Sequence, residues 1–72
     1  MGIGSRMRKA RQEARLSGVA VAKLCQVTHS AVYQWERGIT RPSLASFARW
    51  LDAVGIPEAD RGSWWRYVQT ST

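Results

Sequence analysis

The chain has 72 residues, 44% of them apolar, and eleven Lys and Arg against five Asp and Glu, a formal net charge of +6 and a pI near 10.8. A chain this short reads as one domain (residues 1–72) that buries about 60% of its unfolded surface, which leaves little room for an enclosed catalytic pocket beside the core. One cysteine, Cys25, excludes an intrachain disulfide, and a single histidine, His29, leaves no Cys/His cluster for a metal.

The spacing predicts a first helix from about Gly4 to Arg15. Met7, Ala10 and Ala14 share one face of it. Arg6, Arg8, Lys9, Arg11 and Arg15 fill the rest, more cations than one helix can turn toward one partner. Leu16–Gly18 breaks the helix, and Ser17 is suited to cap the next. That second helix is read over Val19–Cys25, with Val21, Ala22 and Cys25 facing inward.

Gln26 and Val27 make a very short connection. Thr28 then caps a third helix, His29–Arg37, whose inward residues are Val32 and Trp35. Gly38 ends it. Pro42 disfavours helix just before it, and Ser43 caps a fourth helix carrying Leu44, Phe47, Trp50, Leu51 and Val54 at helical spacing. Gly55 stops that helix.

Pro57 suits the first position of a short helical turn, and "SWWRYVQ" reads as one or two further turns capped by Ser63. No segment alternates as a strand does, so the fold class is all-α. Trp64 and Trp65 are adjacent, so one narrow helix face cannot bury both. Either one completes the core while the other joins Tyr67 or Val68 in a dimer contact, or both roof a very small core.

Two short helices joined by a tight turn form the unit that lays its second helix in the major groove of DNA. The polar residues of the third helix suit that task. The first turn of such a helix meets base edges and needs small or hydrogen-bonding side chains, and His29 and Ser30 stand there. Tyr33 and Gln34 follow one turn later; Tyr33 reads equally as a solvated ring. Gln bonds adenine in a bidentate way, Ser donates or accepts, and the methyl of Thr28 can touch that of thymine. The basic charge agrees with a polyanionic partner.

From about residue 3 to residue 56 the chain resembles the lambda-repressor-like helix-turn-helix domain of Cro, phage repressors and XRE-type regulators. The resemblance is most specific at "VYQWERG", followed by "RPS" and a Leu/Phe/Trp/Val helix ending "VGI". It implies a five-helix bundle that binds operator DNA as a two-fold dimer. His29, Ser30 and Gln34 would be the main base readers, with Thr28 and Tyr33 beside them. Ser17 and the loop Gly38–Arg41, with Thr40 in it, would touch phosphates. Arg11 would pair with Glu36, which neutralises an acid at the DNA face and orients the arginine toward phosphate.

Two positions depart from the family. Gly18 stands where many members carry a glutamine, so it offers a phosphate its backbone N–H alone. Leu24 stands where the family is usually polar, as a greasy surface or as a contact for the C-terminal tryptophans.

The leading expectation is a sequence-specific regulator of transcription, a Cro-like repressor of phage or prophage origin that works as a homodimer on a palindromic operator in the bacterial or host cytoplasm. An antitoxin of the same fold, or an adaptor that kept the fold without DNA, are the alternatives. No stacking sheet or GXXG clamp points to RNA, and no catalytic set can be assembled. The expectation is therefore no enzyme, no cofactor, no metal and no small-molecule substrate. The start lacks the apolar run of a signal peptide, and no stretch is long enough to span a bilayer. The single thiol suits a reducing compartment.

Overall fold

The computed structural model describes residues 2–69, and the side chains of residues 2–66. It holds five helices: α1 (Ile3–Glu13), α2 (Gly18–Cys25), α3 (His29–Arg37), α4 (Leu44–Ala53) and α5 (Glu58–Gln69). No strand occurs among the described residues, so the all-α expectation holds.

Three helices begin as their sequences require. The hydroxyls of Ser17, Thr28 and Ser43 accept the backbone N–H of Ala20, Ala31 and Ser46 at 3.0, 3.1 and 3.1 Å. Each bond satisfies one donor that a helix start leaves open, a contribution of about 1 kcal/mol.

Four helix ends share one device. The residue after each last turn adopts a left-handed conformation, and the next N–H reaches back to the final turn. These bonds run Leu16 to Arg11, Val27 to Ala22, Ile39 to Gln34 and Ile56 to Leu51. Glycine supplies the left-handed residue twice, Gly38 and Gly55. Arg15 and Gln26 supply it twice at φ +60° and +59°, where a side chain costs about 1 kcal/mol. α1 therefore stops at Glu13, two residues short of the expected Arg15, because Arg15 is already turning the chain.

The apolar stripes converge as their spacing demands. Met7 of α1, Val21, Ala22 and Cys25 of α2, Val32 and Trp35 of α3 and Phe47, Trp50 and Leu51 of α4 are all buried. Burial pushes the Cys25 thiol up, so it packs as a small apolar group. Gly4 permits the closest approach. A Cβ there would stand 2.6 Å from the carbonyl oxygen of Glu36 and nearer still to that of Trp35. α1 thus rests directly on the backbone at the end of α3.

The C-terminal region differs from its expectation. α5 is one unbroken helix, and Ser63 lies inside it rather than at its start. The Ser63 hydroxyl donates to the Asp60 carbonyl at 2.9 Å and accepts from Arg6. Glu58 and Asp60 in the first turn suit the helix dipole. Ring packing outweighs the cost of Gly62, about 1 kcal/mol relative to Ala. Trp64 is 4% exposed, with its ring 5.1 Å from Trp50. Trp65 meets Phe47 edge-on at 5.4 Å.

Trp64 is therefore the tryptophan that completes the core. Trp65 is half-buried against the core, and the side chains of Tyr67 and Val68 lie outside the described residues. Leu24 does not serve the tryptophans either. It stays 57% exposed in a shallow depression with Arg49, Asp52 and Ala53, while Trp64 packs on Phe47 and Trp50 of α4.

Candidate nucleic-acid interface

α3 turns Val32 and Trp35 inward, at 1% and 5% exposure. The opposite edge carries Thr28, His29, Ser30 and Tyr33, all exposed, and Gln34, which is partly covered. The separation follows from helical spacing: residues 32 and 35 share a face that 29, 30, 33 and 34 flank. The short α2–α3 turn fixes the angle of this edge, since Val27 packs on the core and Gln26 turns the chain.

Three couplings position the side chains. At the N-terminal end, the His29 ring lies over Gly18. A Cβ on Gly18 would stand 3.2 Å from His29 Cδ2 and Nε2. The glycine that removes a familiar side chain from the start of α2 thereby seats the histidine. The sequence signalled the missing side chain but not who fills the space.

In the middle, the Thr40 hydroxyl donates to Gln34 Oε1 at 3.4 Å. The backbone N–H of Ile39 and of Thr40 also reach the Gln34 carbonyl, at 2.9 and 3.5 Å. A residue expected to read bases and a loop expected to touch phosphates are thus tied together.

At the C-terminal end, Arg11 Nε and Nη2 donate to Glu36 Oε2 and Oε1 at 2.6 and 3.0 Å, and Nη1 donates to the Leu16 carbonyl at 2.9 Å. The fork geometry matches a carboxylate bidentately. The two side chains are 16% and 9% exposed. The hydrogen bond to Glu36 raises the Arg11 guanidinium above its ordinary value, against the opposing pull of burial. One arginine thereby joins α1, the α1–α2 turn and α3, and it cancels the acid at the end of the edge.

Two further cations of α1 separate by face. Arg6 turns away, donating to Ser63 at 2.9 Å with its guanidinium 4.0 Å above the Trp64 ring. Arg8 instead lines a cleft of about 390 Å³ with Arg11, Tyr33, Glu36 and Arg37. Within it, Arg37 Nη1 donates to the Tyr33 hydroxyl, and its guanidinium lies 5.1 Å from the ring centre. Sequence reasoning did not join Arg8 to Arg37. The four-residue step from Tyr33 to Arg37 was the available signal. Ser17, Gly38, Thr40 and Arg41 are exposed, and Gly18 is half-covered.

Among the described residues no helix is long and apolar enough to cross a membrane, and no group of three or more His, Cys, Asp or Glu could hold a metal ion. The family model described as "Helix-turn-helix domain" matches residues 3–66. Comparison with curated proteins and with solved structures found no match.

Proposed function

The chain belongs to the helix-turn-helix domain family, whose members are DNA-binding regulators, and from that premise we propose that it binds double-stranded DNA sequence-specifically as a Cro-like repressor. In this reading α3 enters the major groove. His29, Ser30 and Gln34 contact base edges, with Thr28 and Tyr33 beside them. Ser17, the Gly18 N–H, Arg11, Gly38, Thr40 and Arg41 meet phosphates, which set register and supply much of the affinity. Two copies would sit on inverted half-sites of a palindromic operator, about one helical turn apart.

The observation that carries the reading is the two-sided build of α3. Val32 and Trp35 hold it from behind, and a row of hydrogen-bonding side chains lies outward on a domain of net charge +6.

Selection of bound duplexes from a random pool tests it. The expected product is a sequence with two inverted half-sites. Gln34→Ala would cost about 1–3 kcal/mol on that site and relax one base position, whereas Arg41→Ala would weaken all duplexes alike and lower the salt slope by about 1. A pool without enrichment would remove sequence-specific recognition. A single half-site or a direct repeat would remove the two-fold arrangement.

A further inference from the structure

We propose that Arg8 and Arg37, with the Tyr33 hydroxyl orienting Arg37, form an additional seat for a backbone phosphate of duplex DNA, in the cleft between α1 and α3. The inference rests on the DNA-binding reading above and adds a contact to it.

The cleft holds three guanidiniums and one carboxylate. Arg11 already takes both oxygens of that carboxylate. Arg8 and Arg37 have no carboxylate partner among the described residues. Arg37 spends one N–H on the Tyr33 hydroxyl, which fixes its direction without giving it a carboxylate partner. Two uncompensated cations facing one cleft of about 390 Å³ favour an anion between them. A guanidinium presents its N–H groups as a fork that suits phosphate oxygens.

The position of the cleft selects the anion. His29, Tyr33 and Arg37 follow one another at four-residue steps, so they form one row along α3. The row starts against Gly18, the first residue of α2, and ends at Arg8 of α1. The neighbouring row, Ser30 and Gln34, runs toward Thr40 in the loop after α3. A helix lying in a groove has a phosphate backbone along each side. Thr40, bonded to Gln34, lies along one border of the reading edge. The start of α2 and the Arg8–Arg37 cleft lie along the other. The seat therefore extends the contact at the start of α2 toward the far end of α3.

The test measures duplex affinity against salt for the full chain and for Arg8→Gln, Arg37→Gln and the double variant, with thermal melting of each. Both residues are exposed, so the variants keep the wild-type melting temperature. The double variant lowers the slope of log affinity against log salt by about 1. Each single variant weakens preferred and random duplexes by the same factor, and the bases selected from a random pool stay the same.

A double variant that melts normally and retains the full slope overturns the seat while leaving DNA binding intact. A change of base preference without a change of slope also overturns it. Wild-type protein with no salt-dependent duplex binding would remove this inference together with the DNA reading. Inorganic phosphate is titrated into the DNA-free protein as a second arm. Saturation of the Arg8 and Arg37 side-chain resonances at millimolar phosphate, together with an unchanged salt slope in the double variant, would assign the cleft to a free anion and overturn the duplex assignment.

Discussion

At its C-terminal end α3 is held by residues from far along the chain. The Gly4 backbone lies against the carbonyls of Trp35 and Glu36, and Arg11 grips Glu36 across 25 positions of sequence. At its N-terminal end the supports are near neighbours. Thr28 caps the helix three residues away, Gln26 makes the turn before it, and His29 leans on Gly18. One end is fastened by tertiary contacts. The other is shaped by local ones, and its side chains stay exposed. An edge built this way can change residues at positions 28–30 without disturbing the contacts that fasten its C-terminal end.

Substitutions at the two ends can break or sharpen this contrast. The largest effect is expected from Gly4→Ala. The added methyl meets backbone atoms that cannot rotate aside, so the loss in denaturant unfolding is about 3 kcal/mol, the upper part of the range for overpacking. A loss under about 1 kcal/mol would show that α1 slides freely on α3, and the tight-end description would go.

Glu36→Gln comes next. It keeps the shape of the ion pair but removes its charge, and a part-buried charged hydrogen bond is expected to contribute about 1.5 kcal/mol. A variant as stable as wild type, by thermal melting, would mean the pair orients Arg11 without holding α3.

At the other end, Thr28→Ala removes the cap bond and lowers stability by about 1 kcal/mol. A larger loss than that of Glu36→Gln would reverse the ranking of the two ends. The smallest effect, and the one of opposite sign, is Gln26→Gly. It relieves a left-handed non-glycine residue, partly offset by the greater freedom of glycine in the unfolded chain, for a gain of about 0.5 kcal/mol. A decrease in the urea midpoint instead would mean that the Gln26 side chain contributes more than its backbone costs.

Legibility in the sequence followed the reach of each interaction. Ser17, Thr28 and Ser43 each capped a helix, and Gly38 and Gly55 each ended one, because a cap or a left-handed turn is settled within a few residues. The inward faces of α2 and α3, and of α4 from Phe47 onward, were legible because burial repeats with the helical period, whereas Leu44, on the same stripe at the start of α4, stays 58% exposed. The same local logic misread α5. Ser63 has the chemistry of a cap, but Trp64 and Trp65 pack on the aromatic rings of α4, which keeps residues 58–69 in one helix and makes Ser63 an interior residue. The same packing decides which of the two adjacent tryptophans completes the core: Trp64.

The sequence alone determined helices α1 to α4, their order, the buried face of α3 and the candidate reading edge, since those depend on side chains three or four positions apart. Tertiary structure decided the rest: that Gly4 is the point of closest approach, that Gly18 makes room for His29, that Arg6 serves α5 while Arg8 faces Arg37, and that Trp64 is core. Each of these depends on the distance between atoms carried by different helices. No periodicity within one helix encodes that distance; it is set when the apolar faces pack together and the chain between them has been brought round.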